Sequence, residues 1–221
     1  AMLATGSDGF KDIIVPLLSS NDQQVRLGAY RLWPDISVTN LGADWRALVG
    51  AWPEDVRADF VSEMLHNRLD VEVAAFAADD RSAAVKKAAV SSLMWTRSDA
   101  AATRVLESMD AQTFETVARE SADRMPASLR DRTVGALRKF IENTTDQPAR
   151  LRTALDLIEL GEPGLDGVVK DALEVLPAGD MKNLESHYIQ PALEHLRRTD
   201  PAWVSEWVAV QVAEGVLYHA E

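Results

Sequence analysis

The stretch Asp80-Arg81-Ser82-Ala83-Ala84-Val85-Lys86-Lys87-Ala88-Ala89-Val90-Ser91-Ser92-Leu93 decides the fold. An acidic residue precedes it, an aliphatic-basic pair opens it, a small residue follows four positions on, and a leucine comes one turn later. Val85, Ala89 and Leu93 therefore form one apolar stripe along a helix. Asn21-Asp22-Gln23-Gln24-Val25-Arg26 leads to Ala29 and Trp33 in the same order, and Pro53-Glu54-Asp55-Val56-Arg57 leads to Phe60 and Met64 with larger side chains. Leu129-Arg130 and Leu151-Arg152 extend the series, at intervals of 31, 29, 44 and 22 residues between successive pairs. A unit this short cannot bury its apolar face alone, so its recurrence implies that neighbouring units stack. The series is expected to end at Leu151-Arg152.

Outward from these units, apolar residues return at three- and four-residue spacing without sustained alternation, which predicts helices and no strands. The predicted helices cover about 8–18, 22–33, 41–50, 53–67, 70–78, 81–95, 99–108, 110–124, 126–143, 147–160, 164–176, 180–198 and 201–219. Start signals support them. Pro53, Pro126, Pro148 and Pro201 stand where a first helical turn has no use for an N–H, and Asp200 is placed to cap the last helix. Gly161 and Gly179 read as stops.

These stretches resemble the HEAT-repeat family, whose second helices carry this acidic, aliphatic-Arg, Ala and Leu order. The resemblance is carried by 19–33, 52–66, 78–95, 128–140 and 148–158. It implies an all-α fold, a right-handed α-α superhelix of about five to six antiparallel helix pairs with a C-terminal capping segment. The expected organisation is a single helical-repeat domain over 3–221, with HEAT-like repeats in 3–158 and capping helices in 159–221. Ala1-Met2 reads as a remnant ahead of a native start.

Composition bounds the function. The net charge of −12 argues against a nucleic-acid binder, which needs clustered Lys and Arg to neutralise phosphates. The charge is uneven: residues 1–75 carry net −5, 76–152 net +2 and 153–221 net −9. The chain has no Cys, so a disulfide framework or thiolate metal site is excluded and a reducing, cytoplasmic setting is expected. No run approaches the roughly 20 apolar residues of a membrane span.

Chemistry-bearing motifs are missing. His66, His187, His195 and His219 form no metal-ligand spacing, and no phosphate-binding or nucleophile loop occurs. No catalytic residue, metal or cofactor is expected. The candidate partner-binding residues are Arg124, Arg130, Arg138, Arg150 and Arg152 from the basic middle third, with Trp33 and Trp95, which end repeat helices at near-equivalent positions. Trp203 and Trp207, one turn apart, are expected to dock the last helix or form a dimer contact. The expected function is a non-enzymatic scaffold that binds a protein or peptide on a concave surface. Size, helical repeat and Trp/Arg content also resemble HEAT-like DNA glycosylases acting on alkylated bases. A third expectation is a sensing or regulatory segment of a larger bacterial signalling or defence protein, or an acidic immunity-type inhibitor.

Overall fold

The structure is a computed structural model that describes residues 7–32, 37–67, 71–176 and 185–213, and every regular element among them is helical. The chain groups into two compact units, residues 1–117 with 126–129 and residues 118–125 with 130–221. The division expected near residue 158 lies inside the second unit.

The first unit contains α1 (Ser7–Leu18), α2 (Gln23–Leu32), a 3-10 turn (Val38–Leu41), α3 (Trp45–Gly50), α4 (Glu54–Asn67), α5 (Val71–Asp79), α6 (Ala83–Trp95), α7 (Asp99–Glu107) and most of α8 (Ala111–Glu120). Helix α4 packs on both α2 and α6, and α5 packs on α7, while α4 touches α5, α5 touches α6 and α6 touches α7. Helices two apart in the chain thus lie side by side. Val56, Phe60 and Met64 of α4 and Val85, Ala89 and Leu93 of α6 are all buried, as the stripe predicts. In α2 the register differs. Val25 is 39% exposed, while Arg26, Ala29 and Tyr30 face the interior. Trp33, the other end of that predicted stripe, lies outside the described residues.

The second unit contains the end of α8, a 3-10 turn (Ala122–Arg124), α9 (Arg130–Asn143), α10 (Gln147–Glu159), α11 (Asp166–Val175), a π turn (Glu185–Ile189), α12 (Gln190–Thr199) and α13 (Pro201–Ala213). Here each helix from α9 to α11 packs on its successor, as do α11 with α12 and α12 with α13. The predicted helices 110–124 and 126–143 part at Met125-Pro126 as expected, where Met125 is extended because Pro disfavours helical backbone in the residue before it, and each gives up a turn to 3-10 geometry, at Ala122–Arg124 and Ala127–Leu129. The predicted 180–198 helix begins, in its described part, as the π turn. Pro191 has no N–H to offer the His187 carbonyl.

The cations of the aliphatic-basic pairs explain the stacking. Arg26, 2% exposed, donates Nε and Nη2 to Asp59 at 2.9 and 2.7 Å, Nη2 to Asp55 at 3.1 Å, and Nη1 to the Ser20 carbonyl at 2.7 Å. Arg57 grips Asp80 with two N–H groups at 2.8 and 3.1 Å and donates to the Trp52 carbonyl. Lys86 donates to the Ser108 carbonyl that ends α7, and Arg130 to the Leu160 carbonyl that ends α10. Such carbonyls are orphan acceptors at the negative end of a helix dipole. Lys170 donates to Asp200 at 2.6 Å. Val169-Lys170 is therefore a sixth aliphatic-basic pair, with Val169 buried, and the series continues past residue 152, where it was expected to stop.

The acidic residues ahead of the helices serve twice. Asp80 accepts the Ser82 amide as well as Arg57, and Asp200 accepts the Trp203 amide as well as Lys170. Lys170 and that amide hold the Asp200 carboxyl below the usual carboxylate range. One side chain thus caps its own helix and receives the cation of an earlier one.

Burial grades these contacts. Truncating Arg26 would strand a part-buried carboxylate, whereas Arg130 is 46% exposed on its side chain. Arg26→Ala is expected to cost about 3–5 kcal/mol and Arg130→Ala about 1 kcal/mol or less. Urea denaturation of both variants checks this, and equal losses would show that the cations do not stabilise according to burial.

Candidate functional site: an arginine-aromatic cleft

A cleft of about 370 Å³ opens in the second unit. The end of α8 brings Arg119 and Glu120, the following 3-10 turn Asp123, α9 Phe140, α10 Arg152 and Asp156, and the π turn Tyr188. Arg119 and Phe140 meet because α8 ends beside α9, and Arg152 and Asp156 share one face because they are four residues apart on α10. Tyr188 reaches the cleft from the π turn, a local geometry often found at functional sites.

Both arginines lie over aromatic rings. The Arg119 guanidinium carbon is 4.1 Å from the Phe140 centroid, and that of Arg152 is 4.8 Å from the Tyr188 centroid. A guanidinium held face-on to a ring keeps its N–H donors in its own plane, directed at the ring's surroundings. Arg119 Nε is buried with no acceptor, and no carboxylate stands within ion-pair distance of Arg152 among the described residues. The acceptors on the cleft wall are Glu120, Asp123 and Asp156. Burial pushes the Asp156 carboxyl up to about 6, with Glu159 and Asp123 raising it further and Arg152 opposing them. Thr153, also on the wall, spends its hydroxyl on the Ala149 carbonyl at 2.8 Å. The wall thus combines donors, acceptors and ring faces, a composition suited to binding a polar chain.

The predicted site residues disperse. Arg130 and Arg138 converge on the two oxygens of Glu162, at 2.9 and 3.0 Å. That carboxylate is set in place by the turn ending α10, where Gly161 at φ 80° allows Glu162 N–H to bond back to the Leu157 carbonyl and Gly161 N–H to the Ile158 carbonyl. Arg124 lies exposed on its 3-10 turn, 3.5 Å from Asp123. Arg150 is half-buried on α10, its Nε buried without an acceptor. Trp33 is outside the described residues, and Trp95, in the first unit, is 65% exposed and stacked on His66. Of the six that are described, Arg152 alone lines the cleft. Arg119 belongs to the basic middle third, but Phe140, Asp156 and Tyr188 carry no sequence signal that joins them. Among the described residues no group of His, Asp or Glu is placed to hold a metal ion.

Set against protein-family models, curated proteins and solved structures, this chain finds no match.

The raised Asp156 fixes the sign of a pH effect. Its folded form keeps a proton between about pH 4 and 6 that the unfolded chain has lost, so its favourable contribution is complete below about 4 and gone above about 6. Asp156→Asn is expected to raise the urea midpoint at pH 7 and to flatten its fall between pH 4 and 6. Parallel denaturation curves at pH 4.5 and 7 test this, and an unchanged pH slope would remove Asp156 as the cause.

Proposed function

We propose that the protein is a non-enzymatic, HEAT-like helical scaffold that binds a partner protein by holding a peptide segment in the arginine-aromatic cleft. The observation that carries this reading is that Arg119 and Arg152 lie over Phe140 and Tyr188 with N–H donors unspent, although most cations of the repeat series are consumed internally. Peptide carbonyls or a carboxylate can accept from the guanidinium edges, and peptide amides can donate to Asp123 and Asp156. The right-handed superhelix implied by the HEAT resemblance goes with this reading, and so does a cytoplasmic setting for a chain without Cys.

The acid balance favours a protein partner over DNA. Arg130 and Arg138, which a glycosylase-like reading would place against phosphates, share the charge of Glu162. A phosphate backbone would also have to approach a chain of net charge −12.

The test is a peptide array probed with labelled protein, followed by affinity measurements on the selected sequences. Arg152→Ala and Tyr188→Ala are each expected to weaken binding by about tenfold, the loss of one charge-assisted hydrogen bond with its ring support. Duplex DNA is expected to show no mobility shift even at low salt. Selected peptides that bind both variants as well as the parent would refute the cleft as the site.

A further inference from the structure

A second cavity in the same unit, about 500 Å³, is walled by Glu174 of α11 and by Trp203, Glu206, Trp207, Val210 and Gln211 of α13. The α13 residues recur at three- and four-residue spacing, so one face of that helix supplies them all. Trp203 and Trp207 are stacked, with centroids 6.0 Å apart and planes 18° from parallel. Two carboxylates, Glu174 and Glu206, stand beside the rings, and no cation is among the described residues of the wall.

From these residues we propose that the cavity is a receptor for an arginine side chain presented by a basic segment of a partner protein. Four observations support this occupant. The indole pair offers negative π-faces to a cation, and Lys170 already sits over Trp203 at 5.5 Å, so the ring takes a cation from within the chain. Glu174 accepts the Trp203 indole N–H at 3.3 Å, which fixes the ring next to a carboxylate. Glu206 is exposed and has no hydrogen bond or ion pair among the described residues, leaving its charge for an incoming donor. Gln211 lines the cavity and has no side-chain hydrogen bond among the described residues, so its amide oxygen is open to a guanidinium N–H. A planar guanidinium suits this set better than an ammonium. It stacks on an indole while donating in its plane to a carboxylate, which the compact ammonium cannot do with one geometry.

The charge of the surrounding sequence agrees. Residues 153–221 carry net −9, so a basic segment is drawn toward the part of the chain that holds the cavity. Exposed Val210 supplies an apolar wall for the arginine methylenes.

This site stands apart from the arginine-aromatic cleft, so the two readings can fail separately. The probe is the peptide Gly-Arg-Gly, titrated into the isotopically labelled full chain while the indole N–H resonances of Trp203 and Trp207 are followed by NMR. Saturable shifts of both are expected, with Gly-citrulline-Gly, which keeps the shape and loses the charge, binding about tenfold more weakly. Glu206→Gln is expected to lower the affinity by a similar factor while leaving the other indole resonances in place, which verifies the fold. Arg152→Ala is expected to change nothing here. Equal shifts with citrulline, no saturable shift with arginine, or an unaltered response in both Glu206→Gln and Glu174→Gln would overturn the proposal. Concentration-dependent shifts of the same indoles without peptide, abolished by Trp203→Ala, would assign the cavity to a second copy of the chain and overturn it as well.

Discussion

A cation at the start of one helix reaching an anion or a bare carbonyl on a later one is the contact on which the rest of this structure depends. Arg26, Arg57, Lys86, Arg130 and Lys170 each find their partner 22 to 33 residues further along the chain. The apolar stripes supply the bulk of the driving force, as burial of Val85, Ala89 and Leu93 illustrates. An apolar stripe, however, is tolerant of sliding and rotation. A guanidinium that must meet two carboxylates and a carbonyl is not, because each lost partner leaves a buried group unpaired. Arg26 makes this visible. Helix α2 presents Arg26 inward and leaves Val25 at the surface, so the polar contact and not the aliphatic residue sets the face of that helix.

The same pattern has exceptions. Where the acid that answers a cation also caps a helix, as Asp80 and Asp200 do, two local demands are met by one side chain. Two cations that are not so answered, Arg119 and Arg152, lie on aromatic rings. Arg119 and Arg152 rest on Phe140 and Tyr188 beside a carboxyl, Asp156, that burial has moved into the range where it can change charge near neutrality. The acidic C-terminal third holds the inverse arrangement, indoles beside carboxylates, at Trp203 and Trp207. One unit thus contains both a cleft with two guanidinium groups on aromatic rings and a cavity with two indoles beside carboxylates.

Residue types and spacing made the helices readable. Pro148 and Asp146 at the start of α10, Asp200 and Pro201 at the start of α13, and Gly161 after α10 act through backbone chemistry confined to a few neighbours, so no tertiary knowledge is needed to place them. The break at Met125-Pro126 was equally local and was readable from Pro126, whereas the 3-10 turns on either side of it, Ala122–Arg124 and Ala127–Leu129, were not, because the helical apolar period runs through them. The basic middle third suggested a binding surface. Two of its members, Arg130 and Arg138, instead serve Glu162, and nothing in a count of charges distinguishes a cation held inside the fold from one offered to a partner.

The sequence by itself determined that the chain is helical, where most helices start and stop, and that the aliphatic-basic pairs repeat, since each of these follows from backbone sterics and the 3.6-residue period. It also held the sixth pair, Val169-Lys170, whose meaning emerges only when Lys170 is seen to reach Asp200. The tertiary structure alone decided which cations are spent and which remain available. Ion pairing, stacking on a ring and the shift of a buried carboxyl depend on distances between side chains that lie far apart in the chain. Such distances are set by packing, and no local pattern encodes them.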